Sequence, residues 1–431
     1  MLRLLSLILA LPAAAQDLPP PVDPADFPDH PAPLVELGRL LFHDPILSGN
    51  RNIACATCHA ADHGGGDGLS LGIGEGGAGT GPDRTAEGIE KRIPRNAPGL
   101  WNLGHRDVSV LFHDGRLEAS DIFGNGFSSP AEEWLPGGLD SILAAQALFP
   151  MTARFEMAGS PTSGEVGGAV NDRIDAAWPI LAARVSAVPD YFAMIRDAFP
   201  EVRGEAEVTA VHLANALAAF MTVQFESHDS PFDRHLRGEP GVLAPEAAEG
   251  MALFYGRAGC AACHSGTLLS DQGFHALGLP AFGPGRTRTF DPIPRDVGRM
   301  AESDRAEDAY RFRTPMLRNV ALTAPYGHNG AFPTLEGIVR HHLDPAASLA
   351  RWQPEDAALP PAPRIAAVDF AIRQDAREMA RQAAALDIAP APMTDAEVDA
   401  LVAFLHALTG ETARALPLAA PETVPSGLPP G

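Results

Sequence analysis

The sequence predicts a mainly α-helical fold with long loops and little β-strand, divided into two similar domains. Three observations support this. A Cys-x-x-Cys-His run occurs twice, about two hundred residues apart, and a segment with apolar residues at helical spacing precedes each run. The strict alternation of apolar and polar residues that marks strands is scarce, while 42 Gly and 41 Pro among 431 residues interrupt regular structure.

The repeated run explains why two domains are expected. Its thiols and imidazoles are Cys55, Cys58 and His59 in the first copy, and Cys260, Cys263 and His264 in the second. This spacing is the attachment signature of a c-type haem, in which two thiols bind the porphyrin and the adjacent imidazole ligates the iron. Disulfides, a zinc site or a thioredoxin-like redox pair are the alternatives. Because all four cysteines of the chain fall in these runs, we predict two covalent haems and two cytochrome c-like domains.

Helices are expected where apolar residues recur every three or four positions. One predicted helix begins near Pro33, and another, which contains Leu253 and Phe254, leads into the second haem run. Two more span about 205–225 and about 395–408, the latter with Gly410 as the stop signal. Residues 60–94 are rich in Gly and predict a loop, and 117–145 predict another. Both haem runs are preceded by Leu-Phe, at Leu41-Phe42 and Leu253-Phe254, which indicates a weak internal repeat.

The chain divides into five predicted segments. Residues 1–15 read as a secretory signal, with one Arg, an apolar run and a small-residue cleavage site, and they are too short to span a bilayer. The others are an N-terminal domain at 30–202, a C-terminal domain at 203–345, an extension with a packing helix at 346–411, and a disordered tail at 412–431. Export together with covalent haem predicts a bacterial periplasmic protein without a membrane span.

The charge is strongly acidic. Lys and Arg number 32 against 54 Asp and Glu, which gives a formal net charge of −22. No basic run exists to neutralise phosphates, so nucleic-acid binding is not expected. The acidity either steers a basic partner or forms a solvated surface.

Ordered blocks around the haem runs point to a family. They are residues 95–98 (Arg-Asn-Ala-Pro), 113–116 (His-Asp-Gly-Arg), 146–157, 230–233 (Ser-Pro-Phe-Asp) and 312–330 (FRTPMLRNVALTAPYGHNG). With these blocks the sequence resembles the bacterial di-haem cytochrome c peroxidase family, including its MauG-like branch, from about Leu34 to His342 and again in the last helix.

The resemblance implies a peroxide-binding pocket at the first haem. The matching distal residues are Gln146, Pro150, Glu156 and Met157, with Glu156 as acid/base and Gln146 orienting the peroxide; a solvated surface carboxylate is the alternative for Glu156. Where some members place a His that closes this haem, this chain has Glu75. His63 is the only nearby histidine that could replace it, and it is expected to be a surface residue, so a five-coordinate, high-spin N-terminal haem is predicted.

At the second haem the resemblance implies a closed, low-spin relay. The matching distal position is His342, with the neighbouring His341 as the alternative. A calcium ion is implied between the haems, at Asn96, Thr323 and Pro325; alternatively, Asn96 only caps a turn. The family's inter-haem Trp is replaced by His113, so electrons either tunnel directly or use Trp101.

The resemblance implies three possible functions. The first is a peroxidase of EC 1.11.1 type that reduces H₂O₂ with electrons from a small cytochrome c or cupredoxin. The second is MauG-like oxidation of residues in a partner protein. The third is a di-haem electron carrier without catalysis. The protein is expected to be a monomer or homodimer.

Overall fold

The computed structural model describes residues 17–162, 164–286 and 293–431, so the predicted signal segment lies outside the described residues. Fifteen α-helices lie in the described part: α1 Ala32–His43, α2 Ile142–Ala147, α3 Glu165–Asp172, α4 Ala177–Ser186, α5 Pro189–Ala198, α6 Ala210–Gln224, α7 Pro231–Leu236, α8 Pro245–Phe254, α9 Met300–Ser303, α10 Leu335–Leu343, α11 Pro345–Arg351, α12 Ala366–Asp369, α13 Ala376–Ala385, α14 Asp395–His406 and α15 Glu411–Ala415.

Strands are short and few in the described chain. Those present are β1 Val110–Leu111, β2 Leu117–Ala119, β3 Phe127–Ser128, β4 Phe274–His275 and β5 Phe312–Arg313. The first three form an antiparallel sheet in the order β1-β2-β3, and β4 pairs antiparallel with β5. The fold is therefore mainly helical, as predicted. None of the described helices combines the length and apolarity needed to cross a bilayer.

The first core forms where α1 crosses α6. Leu37 and Leu41 of α1 are fully buried in it. The two backbones touch at Gly38, where a Cβ would lie 1.9 Å from the carbonyl oxygen of Ala216, so only glycine allows this approach. The predicted domain boundary put α6 in the C-terminal domain, but the helix packs into the N-terminal core, because its buried face is complementary to α1.

The second core repeats this arrangement with α8 and α14. A Cβ on Gly250 would lie 1.8 Å from the carbonyl oxygen of Ala400, and Leu401 and Phe404 are buried beside it. Each haem run thus follows a helix with the pattern Gly-x-x-Leu-Phe, whose Gly lies against a partner helix. The weak repeat in the sequence corresponds to a repeated helix pair.

The C-terminal residues are ordered along the N-terminal domain rather than forming the predicted disordered tail. The side-chain amide of Gln224 donates to the Leu418 carbonyl and accepts from the Leu418 amide, both at 3.0 Å. Further on, Ser426 donates to Asp44 at 2.7 Å. The prolines exclude regular structure, but these bonds satisfy an extended backbone without it.

Part of the 346–392 segment covers the Gly-rich loop that follows the first haem run. Ala362 and Ile365 pack against Ile73 and Ile89 of that loop. The buried carboxylate of Asp369 binds the guanidinium of Arg92 through two hydrogen bonds of 3.0 Å. The extension therefore fixes one wall of the first haem region.

Candidate haem sites

Both motif histidines have one ring nitrogen fixed by the backbone. In His59, Nδ1 donates to the carbonyl of Gly65 at 2.7 Å, and in His264, Nδ1 donates to the carbonyl of Leu269 at 3.1 Å. A carbonyl only accepts, so each Nε2 is left as the unprotonated nitrogen. Metal-ligating histidines are usually oriented in this way. Burial also lowers the pKa of both imidazoles, to about 4 for His264, and so favours the neutral, ligating form.

The four thiols remain free to bond a porphyrin. None of them forms a disulfide. Burial raises the pKa of Cys55, Cys58 and Cys260 to about 12, so these groups are neutral thiols in apolar surroundings rather than reactive thiolates. The donor set fits covalent haem.

A second imidazole faces His264. The ring centroids of His264 and His342 are 6.5 Å apart. Two imidazoles that bind one metal from opposite sides, with bonds of about 2 Å, hold their centroids roughly 6 Å apart. His342 lies in the last turn of α10, and its Nδ1 donates to the carbonyl of Ile338 at 2.8 Å, which again leaves Nε2 free.

The neighbouring His341 is arranged differently. Its Nε2 donates to the carbonyl of Leu277 at 2.8 Å, and its ring packs on Phe332 with centroids 5.0 Å apart. The residue is fully buried, and burial lowers its pKa to about 4. With Nε2 engaged, His341 is a packed core histidine in this structure, whereas His342 lines the cavity beside His264.

A large cavity surrounds the second motif. Its volume is about 680 Å³, within the range of roughly 300–1,000 Å³ for cofactor pockets. Cys260, Cys263, His264 and His342 line one region of it. Asn96, Trp101 and His113 of the N-terminal domain line another region, so the cavity reaches from the second motif to the junction of the domains.

A carboxylate lies near the first motif. Glu156 lies on a π-helical turn, Arg154–Ala158, a local geometry that is frequent at functional sites. The Gly-rich loop closes on this turn: a Cβ on Gly74 would lie 2.8 Å from the Cα of Glu156. Glu156 and the Cys58 thiol influence each other electrostatically, so the carboxyl group lies near the attachment site.

Burial and two arginines shift the pKa of Glu156 in opposite directions. Burial raises the pKa of its carboxyl group, while the nearby guanidinium groups of Arg116 and Arg286 oppose this rise. The buried Asp114 positions this pair, since its Oδ2 accepts from Arg286 at 2.8 Å and its Oδ1 lies 3.9 Å from Arg116 Nε. Sequence reasoning assigned no role to these arginines, although residues 113–116 were among the family markers.

The other predicted distal residues lie in adjoining turns. Gln146 is in the last turn of α2, and Pro150 begins the short turn Pro150–Thr152 that precedes the π-helical turn. Both are half-buried. Met157 is only 5% exposed and belongs to the first core. The predicted distal residues thus lie in three adjoining turns of the chain, and Met157 packs in the first core.

The two residues considered at the place of a distal His, Glu75 and His63, have other contacts. Oε1 of Glu75 accepts hydrogen bonds from the side chains of Asn50 and Asn52, at 2.7 and 3.2 Å. His63 is half-buried against Gly81, whose added Cβ would meet its ring at 3.0 Å.

The residues predicted between the haems surround the same cavity. His113 Nε2 donates to the carbonyl of Asn96 at 3.2 Å. Trp101 is 4% exposed and packs edge-on against Phe225. Asn96, Thr323 and Pro325 all border the cavity. Asn96 donates its side-chain amide to Leu69 at 2.7 Å, which directs the amide nitrogen away from any cation.

Two covalent-haem motifs in one mainly helical chain, with a second imidazole facing His264 and a carboxylate near the first motif, define a di-haem oxidoreductase. A family model for di-haem cytochrome c peroxidase matches residues 32–241. The methylamine utilization protein MauG of Methylorubrum extorquens is 32% identical over 311 residues, which cover 72% of this chain and 68% of that protein. The chain belongs to the di-haem cytochrome c peroxidase family, and this membership implies two haem cofactors.

Two further proteins of known sequence or structure are similar to this chain. Cytochrome c551 peroxidase of Pseudomonas aeruginosa is 29% identical over 305 residues, or 70% of each chain. The crystal structure of a MauG-like protein associated with microbial copper homeostasis superposes with a TM-score of 0.59, at 27% identity, and covers 93% of this chain and 95% of that one. The predicted family and the predicted mainly α fold are confirmed.

Proposed function

We propose that the protein is a periplasmic peroxidase that reduces hydrogen peroxide at the N-terminal haem. The observation that carries the proposal is the asymmetry between the two motifs: His342 faces His264, whereas the half-buried Glu156 lies near the first motif. The first haem is proposed to be held by Cys55, Cys58 and His59 and to keep one coordination position open. When bound, this haem would supply a Lewis-acidic, redox-active iron.

The chain's own residues move the protons. Reduction of one H₂O₂ takes two electrons and two protons and yields two waters. Glu156 accepts the proton of one peroxide oxygen and returns it to the other, a transfer worth about 10²–10⁴ in rate for a positioned group. Arg116 opposes the rise that burial causes in the pKa of Glu156 and so favours the ionised carboxylate, and Gln146 orients the peroxide with its side-chain amide.

The second haem is proposed to relay electrons. Cys260 and Cys263 would hold it, and His264 and His342 would both ligate its iron, which would leave no position for peroxide. Electrons arrive from a small cytochrome c or cupredoxin, and the acidic surface suits a basic donor. His113 and Trp101 border the cavity toward the first domain, so both remain candidates for the inter-haem path.

Calcium is proposed at the domain junction. The carbonyl oxygens of Thr323 and Pro325 and the side-chain oxygen of Asn96 accept no hydrogen bond from any residue in the described ranges. Such free oxygens are the ligands that calcium prefers.

Spectra of the ferric protein, with and without peroxide, test the proposal. The expected result is one high-spin and one low-spin haem, and loss of the high-spin signal upon addition of H₂O₂. Turnover with a reduced cytochrome c or cupredoxin should consume two electrons per peroxide. Two low-spin haems that ignore peroxide would leave only an electron carrier.

A second candidate function is the oxidation of residues in a partner protein. The observation that favours it is a pair of exposed apolar side chains on the 117–145 insertion: Ile122 is 72% exposed and Trp134 is 48% exposed. Exposed aromatic residues often anchor protein interfaces. Covalent change in a co-expressed partner upon addition of H₂O₂, abolished by Trp134→Ala while small-donor turnover persists, would support this function over the first.

A further inference from the structure

One arginine on the wall of the large cavity lacks an anionic partner. Arg313 ends β5 and lines the cavity. Its Nε donates to the carbonyl of Phe112 and its Nη1 to the carbonyl of Thr314, each at 3.1 Å. Burial alone lowers its pKa, to about 10, and no carboxylate of residues 17–162, 164–286 or 293–431 forms an ion pair with it. This half-buried guanidinium therefore carries a charge that no carboxylate of the described residues compensates.

Two buried arginines near this cavity are each paired with a carboxylate. Arg95 binds Asp296 through two hydrogen bonds of 2.8 Å, and Arg318 binds Asp233 at 2.7 Å. The fold therefore compensates buried guanidinium groups with its own carboxylates where it can. Arg313 is different, so its counter-charge is expected from a group that enters the cavity.

We propose that Arg313 binds a propionate carboxylate of the haem attached to Cys260 and Cys263. A haem carries two carboxylates, and these need a cation if they lie beside apolar walls. A guanidinium matches a carboxylate through two parallel N–H groups, and Nη2 of Arg313 makes no hydrogen bond with the described residues. The inference rests on the haem assignment in the proposed function, but it does not depend on peroxide reduction.

The backbone around Arg313 fixes where the carboxylate would lie. The main-chain N–H of Arg313 donates to the carbonyl of His113 at 2.8 Å, and its guanidinium donates to Phe112 next to it. Both acceptors belong to the N-terminal domain. The propionate is thus directed to the domain junction, and its binding ties the second haem to the first domain.

The charge has a measurable consequence for the second haem. A fixed cation near a redox centre stabilises the state that has gained an electron. Neutralising Arg313 leaves the propionate charge uncompensated and so favours the ferric form. The midpoint potential of the low-spin haem is therefore expected to fall when the cation is removed.

The experiment compares three variants of the full-length holoprotein by spectroelectrochemical titration without peroxide. Arg313→Gln should raise the ferric-to-ferrous ratio of the low-spin haem at least tenfold at fixed potential, a shift of about 59 mV for one electron. Arg313→Lys should restore most of that shift. Arg305→Gln is the control, because Arg305 is exposed and pairs with the exposed carboxylate of Glu307; its potential should equal that of the wild type.

The outcomes separate the inference from the proposed function. A wild-type potential in Arg313→Gln, at equal haem content, overturns it, and so does an equal fall in Arg305→Gln. If Arg313→Gln fails to retain haem, Arg313→Lys decides: retained haem with the wild-type potential supports a role for the charge, and loss of haem there overturns it. Failure of peroxide reduction changes none of these readings.

Discussion

The two Cys-x-x-Cys-His sites share their local structure and differ in what faces the histidine. Each follows a Gly-x-x-Leu-Phe helix, and each imidazole donates Nδ1 to a nearby carbonyl. At the second site His342 completes a pair of imidazoles, while the first site lies near a half-buried glutamate beside two arginines. The attachment chemistry is thus local, but the function of each haem depends on side chains that lie far from the motif in the sequence.

The largest effect is expected from removing the carboxylate near the first site. Glu156→Gln removes the group that moves the proton, so the rate of peroxide reduction should fall about 10²–10⁴-fold, measured by stopped-flow with haem content held equal. Glu75→Gln is the control, because its carboxyl group binds Asn50 and Asn52 and has no proposed role in proton transfer. An equal loss in both variants would contradict the assignment.

The second prediction concerns the pair of imidazoles at the second site. His342→Ala removes the imidazole that faces His264, so a second high-spin haem should appear in the optical and electron paramagnetic resonance spectra. His341→Ala should keep the low-spin signal, since the Nε2 of His341 already binds Leu277. A high-spin haem that appears only in His341→Ala would reverse the assignment.

The third prediction concerns the part of the extension that covers the loop after the first haem run. Arg92→Met leaves the carboxylate of Asp369 buried without its partner, which should cost about 3–5 kcal/mol of unfolding free energy, measured by denaturant titration. Arg154→Met is the matched control: its pair with Glu90 is exposed, so the loss should stay below about 1 kcal/mol. Equal losses would mean that the covering segment does not stabilise the loop.

How much of this could be read from the sequence depends on the distance of the contacts. Haem attachment and the helices α1, α8 and α14 follow from local patterns, and His342 followed from a family spacing. The packing of α6 on α1 and the docking of the C-terminal residues were missed, because both depend on contacts between distant segments. The electrostatic role of Arg116 was missed for the same reason: its effect on Glu156 exists only after the two loops meet.

The smallest expected effect is a change in the pH dependence of the reaction at the first site. Glu156 must be ionised to accept a proton, so the rate falls as pH drops through its pKa, which burial raises and Arg116 holds down. Arg116→Gln removes that opposition, so the pKa should rise and the acidic limb of the pH–rate profile should move to higher pH. Below the limb, each unit of displacement lowers the rate about tenfold. Arg154→Gln, at an exposed position two residues before Glu156, should leave the limb in place; a limb unchanged in Arg116→Gln would mean that this guanidinium does not act on the base.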